Sequence, residues 1–188
     1  MGDRLEKVYL GATLQVAQVS AGDSHTCVIL VDGAIRCWGS NKHGQLGMGD
    51  THDRGDDEEV SILSAVSVGW NLKAISIAAG HHHTCAVMDD GTAKCWGENK
   101  HGQLGQEHDD DLGDQGDEMG DLLEPLSLGT ALTAVEVVAN NHSCVRFSDH
   151  SVKCWGDNGS GRLGLGHKED LGDEEGEMGD RLPPVLIY

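Results

Sequence analysis

The chain has 188 residues, and its 32 acidic side chains against 13 basic ones give a formal net charge of -19, which sets its surface against phosphate backbones and anionic headgroups and excludes nucleic acid as an expected partner. No stretch approaches the roughly 18 consecutive apolar residues of a membrane span, and no basic segment followed by an apolar one opens the chain, so neither a membrane span nor a signal peptide is expected. With 38% hydrophobic residues, 27 Gly and only 3 Pro, the composition is that of a globular domain of many short strands joined by glycine turns.

In chain order, the first predicted strands are residues 7–10 and 14–21. They lead into HTCVILVDGAIRCWG at 25–39, whose apolar residues alternate on either side of Asp32-Gly33, as in a β-hairpin. NKHGQLG at 41–47 and the acidic stretch GDTHDRGDDEE at 49–59 follow. The series then begins again with strands at 65–68 and 74–79, the hairpin HTCAVMDDGTAKCWG at 83–97, NKHGQLG at 99–105 and EHDDDLGDQGDE at 107–118. A third pass gives strands at 125–128 and 134–139, HSCVRFSDHSVKCWG at 142–156, NGSGRLG at 158–164 and HKEDLGDEEGE at 167–177. Cys27, Cys85 and Cys144 stand 58 and 59 residues apart, and Trp38, Trp96 and Trp155 repeat at the same intervals.

We therefore expect one repeat array over 1–188, with units at 12–69, 70–129 and 130–188, each a small antiparallel sheet of four strands. In the third unit His150 stands where the hairpin turn calls for Gly, which sets that turn apart. The ends are in phase with the repeat: MGDRLEKVYLG at 1–11 aligns with MGDLLEPLSLG at 119–129 and MGDRLPPVLIY at 178–188. Met1 thus occupies a repeat position, and the chain reads as a segment of a longer array or as one of several chains that complete one another.

The succession of a small-Gly step, His-Thr, an Asp-Gly hairpin, Trp-Gly, Asn and Gly-Gln-Leu-Gly resembles the regulator of chromosome condensation repeat over essentially the whole chain. That resemblance implies an all-β fold of blades of β-propeller type. It also implies kinship with seven-bladed members that include a nuclear exchange factor and a secreted β-lactamase inhibitor. Closed propellers use roughly four to eight blades, so three make an open or incomplete ring. An open array leaves a strand unpaired at each end, which templates pairing with another copy, and head-to-tail contacts that fail to close give filaments.

The six Cys form three pairs of C-x9-C spacing: Cys27 with Cys37, Cys85 with Cys95, and Cys144 with Cys154. In the hairpin register the members of each pair face one another on adjacent strands, with Cβ atoms roughly 4.5 to 5.5 Å apart, as a disulfide needs. The alternatives are six buried free thiols and a zinc site, the latter without the tight spacing of a knuckle. Bridged pairs place the protein outside the cytosol.

Asp109, Asp111, Asp114 and Asp117 alternate with Gly in a way that can wrap a hard cation in oxygen ligands, so calcium is the candidate cofactor, although no full EF-hand pattern is present and acidic runs are ordinarily solvated faces. Stacked blades would bring the acidic loops to one rim. His25, His83 and His142 share one repeat position and read as structural residues bonded between strands; His43 and His101 recur likewise. Trp38, Trp96 and Trp155 read as packing between blades, which leaves Trp70, outside the repeat, as the candidate contact residue. Sequons begin at Asn141 and Asn158, both at repeat positions, with Asn158 the better acceptor. No nucleophile elbow, phosphate-binding glycine loop or HExxH is present, so no catalytic residue is assigned.

The expected function is a noncatalytic, extracellular repeat scaffold that contacts proteins, above all copies of itself. A segment of a seven-bladed propeller that binds a different protein is the second reading. A nucleotide exchange factor for a small GTPase is the third.

Overall fold

A computed structural model of the protein describes residues 8–11 and 14–186. The repeat position of Met1, the start of the predicted strand at Lys7 and the last two residues of the chain lie outside them. Among the described residues nine strands form three separate antiparallel sheets: β1 (Val16–Ala21), β2 (His25–Leu30) and β3 (Ile35–Gly39) in blade 1; β4 (Ala74–Ala79), β5 (His83–Met88) and β6 (Ala93–Gly97) in blade 2; β7 (Ala134–Ala139), β8 (His142–Phe147) and β9 (Val152–Gly156) in blade 3. Within each blade the hairpin register pairs the two cysteines directly, Cys27 with Cys37, Cys85 with Cys95 and Cys144 with Cys154, and all three pairs are disulfides.

The sheets have three strands where the sequence suggests four. The outer segment of each unit returns alongside the third strand but makes one backbone bond to it: Val66 N–H to Ile35 O at 2.9 Å, Leu126 N–H to Ala93 O at 2.8 Å, and Val185 N–H to Val152 O at 2.8 Å. In units 2 and 3 Pro125 and Pro184 immediately precede the bonded residue, where an extended chain aims its donor away from the third strand, so they blunt the free edge of the blade rather than weaken this contact. Unit 1 has Ala65 there, and in it alone among the described residues the contact widens to a β-bridge, Ile35 with Val66. A basic residue of the third strand then clamps each returning loop: Arg36 donates to Ser61 O, Lys94 to Gly120 O, and Lys153 to Leu128 O and Gly179 O.

A three-stranded sheet has no side to spare for a core of its own, and the apolar side chains gather between blades. One cluster joins Ile29, Ile35 and Leu46 of blade 1 to Ile77, Met88 and Trp96 of blade 2; the other joins Val87 and Leu104 of blade 2 to Val137, Phe147 and Trp155 of blade 3. Blade 2, covered on both sides, buries every residue of β5 and β6. The first strands of successive blades are stitched by side chains rather than by a ladder. Gln18 both donates to Ile77 O and accepts from Ile77 N–H, Ser20 accepts from Ala79 N–H, and Ser76 accepts from Val137 N–H.

The third hairpin keeps the turn of the other two despite its histidine. His150 adopts φ 71° where Gly33 and Gly91 adopt 87° and 84°, and its N–H bonds Phe147 O as theirs bond Leu30 O and Met88 O. The two glycines also have no room for a Cβ, which would lie 2.5 Å from Lys73 and 2.6 Å from Thr133 of the next blade. Left-handed backbone costs a residue with a Cβ about 1–2 kcal/mol, and glycine returns part of that through the freedom of its unfolded chain. His150→Gly should therefore stabilise the protein by about 0.5–1 kcal/mol in chemical denaturation, and a loss of stability would show that the imidazole makes a contact of its own.

Candidate protein-interaction site

Each seam between blades is built from one set of groups. His25 and His83 end their turns with the imidazole aimed at the following blade. There Nε2 of His25 lies 2.9 Å from the Thr84 hydroxyl, and Nε2 of His83 lies 2.8 Å from the Ser143 hydroxyl. Those hydroxyls donate back to the blade that supplies the histidine, Thr84 to Gln45 O and Ser143 to Gln103 O, both at 2.8 Å. With its proton committed to the carbonyl, each hydroxyl can only accept from the ring, so Nε2 is the protonated nitrogen. The same two carbonyls accept the indole N–H of Trp96 and Trp155 at 3.0 and 3.1 Å. The histidines, read from sequence as bonds between strands, are bonds between blades.

This chain of donors leaves Nδ1 of His25 and of His83 buried without a partner. A second proton there would be a buried charge with no acceptor. Burial and then the neighbouring His82 push the His25 pKa down to about 4. Complete burial, reinforced by His25 and His142, pushes that of His83 down to about 3.

The glycine-rich loops close the rim of each seam. Asn41, Asn99 and Asn158 are fully buried and organise them: each Oδ1 accepts the N–H five residues on, and each Nδ2 donates to carbonyls of its own acidic loop. The Asn158 sequon is corrected by this burial, since its amide nitrogen is committed to His167 O at 3.1 Å and Glu169 O at 2.8 Å and cannot carry a glycan in this fold. Asn141 is half-buried in the turn before β8.

His43 Nδ1 lies 2.8 Å from Asp111 Oδ2, and His101 Nδ1 lies 2.9 Å from Asp170 Oδ2, so each loop holds the acidic loop of the next blade. Asp111, one of the four calcium candidates, also accepts Asn99 N–H and is thereby spent on architecture. Asp109 and Asp117 point to solvent, and Asp114 is half-buried with Oδ1 unpartnered. No group of three or more carboxylates, histidines or cysteines arranged to hold a metal ion occurs among the described residues. Trp70 is 87% exposed on a turn with Asn71 at φ 58°, its N–H held by Asp121 at 2.6 Å.

The sequence showed the histidines and tryptophans but not their acceptors. The signal was there, in the Thr or Ser that follows each histidine and the Gln that recurs in Gly-Gln-Leu-Gly, yet a main-chain carbonyl leaves no mark in a sequence.

The regulator of chromosome condensation (RCC1) repeat matches residues 16–45, 74–103 and 139–162, and a longer form of that repeat matches residues 32–87. The chain is similar to the ultraviolet-B receptor UVR8 of Arabidopsis thaliana, 29% identical over 157 residues that cover 84% of this chain and 33% of the receptor. Among solved structures it is similar to human WBSCR16 (TM-score 0.64, 19% identity, 93% of this chain and 40% of that one). It is also similar to Prp20p of Saccharomyces cerevisiae (TM-score 0.63, 23% identity, 92% of this chain and 39% of that one). The chain thus spans about a third of the curated relative and two fifths of the solved chains.

Proposed function

The chain belongs to the regulator of chromosome condensation repeat family, and from that premise we propose that it is a noncatalytic, extracellular scaffold that joins proteins through the faces of its blades, first of all copies of itself. The observation that carries this reading is the seam. Two internal blade contacts use the same imidazole, hydroxyl, carbonyl and indole, and the two outer faces carry the same kinds of group: Thr26 and Trp38 on blade 1, His142 and the Arg162 carbonyl on blade 3. Trp38 is half-buried where Trp96 and Trp155 are fully buried. Three disulfides support an oxidising compartment, and the net charge of -19 disfavours a phosphate backbone as partner.

The second reading, a segment of a longer propeller that recognises a different protein, is favoured by the share of the relatives that the chain covers. The Prp20p structure is described together with binding properties to Gsp1p and histones; the third reading, a nucleotide exchange factor for a small GTPase, sits poorly with three disulfides. Native mass spectrometry of the oxidised chain over a hundredfold range of concentration separates the readings. Masses of two copies and more, rising with concentration, are expected. A monomer throughout would overturn self-assembly and leave the second reading.

A further inference from the structure

We propose that the outer face of blade 3 is a preformed seat for a tryptophan, and that its occupant is Trp38 of a second copy; this deepens the self-assembly reading above and rests on it. In the internal seams a glycine of the loop sits against the indole of the next blade. A Cβ on Gly47 would lie 2.8 Å from Trp96 Nε1, and a Cβ on Gly105 would lie 2.7 Å from Trp155 Nε1. A Cβ on Gly44 or Gly102 would likewise lie 2.3 or 2.4 Å from the backbone nitrogen of Asp114 or Asp173 in the next acidic loop. These glycines are required by their neighbours as much as by their φ of 67–74°.

Blade 3 repeats this backbone with nothing against it among the described residues. Gly161 and Gly164 both keep φ 73°, yet a Cβ on Gly161 would meet only His167 O at 3.8 Å, and one on Gly164 only Val185 at 3.4 Å. The loop thus keeps the shape that accommodates an indole and an acidic loop. Beside it His142 has Nδ1 buried without a partner, as in His25 and His83.

The face of blade 1 supplies the plug. Among the described residues the Trp38 indole N–H and the Thr26 hydroxyl make no hydrogen bond, and they occupy the positions that Trp96 and Thr84 hold in the first seam. Occupancy selects the same pairing. Trp155 of blade 3 is already seated on Gln103 O and Gly47 of blade 1 is already covered by Trp96, so blade 3 has a seat but no free indole and blade 1 an indole but no free seat, which favours blade 3 meeting blade 1 over either face meeting its own kind. Val60 lies against Gly55 and Trp38 as Met119 lies against Gly113 and Trp96, so the plug keeps the apolar backing it has in the first seam. Ser160, in place of His43 and His101, keeps a donor for Asp53, the counterpart of Asp111. His150, lacking the glycine of the other hairpins, makes the joint tighter at the loop end than at the hairpin end.

Two single variants test the joint. Gly164→Asn blocks the seat while accepting a left-handed backbone at little cost, and Trp38→Ala removes the plug from the opposite face. In sedimentation velocity with the oxidised full chain, each variant alone is expected to remain monomeric at concentrations where the parent assembles. An equimolar mixture should double in mass and stop there, because one variant still offers a seat and the other a plug. Circular dichroism of each variant checks folding, and the mixture itself reports two competent faces. Variants that assemble as the parent does, or a mixture that stays monomeric, would overturn this joint and leave self-assembly standing. A parent that never assembles would overturn both.

Discussion

Reduction of the three disulfides is expected to remove most of the stability of the fold. Each bridge joins residues 10 apart, and a closed loop of that size contributes about 2.7 kcal/mol in the chain-entropy account, so the three together contribute about 8 kcal/mol. Domains of this size are stable by about 5–15 kcal/mol in total. The effect is large because each bridge lies across a hairpin in a blade that has only three strands, and a blade that melts exposes the apolar side of its neighbour. Access sets the order: Cys27, Cys37, Cys85 and Cys95 are fully buried, whereas Cys144 is half-buried and Cys154 is 6% exposed, so blade 3 should lose its bridge first. Urea denaturation with and without a phosphine reductant, with thiol alkylation and peptide mapping at intermediate times, measures both points. A midpoint shift worth less than about 1 kcal/mol would show that the blades hold without their bridges.

How much of this could be read from the sequence depended on whether a feature repeats and on whether it is a side chain. The hairpin register was legible because Cys85, Val87, Ala93 and Cys95 alternate about a turn, and the three copies agree. The fourth strand was overread. Residues 125–128 carry the right apolar alternation, but they make a single backbone bond to the third strand, and apolar patterns do not count hydrogen bonds. The turn at His150 was legible as an exception; that the exception keeps the left-handed backbone was not, since a histidine and a glycine can reach the same φ at different cost. Asp111 looked like a cation ligand because its acidic neighbours are adjacent in sequence, while its true partners, His43 and the Asn99 N–H, come from elsewhere in the chain. The seams were the least legible part, because Gln45 and Gln103 act in them through their carbonyl oxygens, the one group that every residue shares.

Acid should open the seams before it melts the blades. The rings of His25 and His83 are neutral in the fold, with pKa values lowered to about 4 and about 3, whereas in the unfolded chain they titrate near 6.5. A depressed histidine pKa means that the unfolded chain takes up protons first as pH falls. The stability these two rings lend is therefore complete above pH 6.5 and declines through the interval down to about pH 4. At pH 5 the loss amounts to about 2 kcal/mol for each ring, or about 4 kcal/mol together, relative to pH 7. Two opposing effects act in the same interval. The net charge of -19 diminishes and relieves repulsion. Glu118 and Asp173, whose pKa values burial raises, take up protons more readily in the fold than outside it and so stabilise it as pH falls. The comparison that isolates the seams is the double variant His25→Gln, His83→Gln, which keeps a donor toward Thr84 and Ser143 but has nothing to protonate. His82 and His142, whose pKa values burial also lowers, remain in both proteins, so the readout is the difference: from urea denaturation at pH 7 and pH 5, the parent should lose about 4 kcal/mol more on acidification than the double variant. Fluorescence of Trp96 and Trp155, both fully buried in seams, should change in the parent ahead of the far-ultraviolet dichroism of the strands. If the double variant loses as much as the parent, the imidazoles are not what joins the blades, and the carboxylates of the acidic loops become the next groups to test.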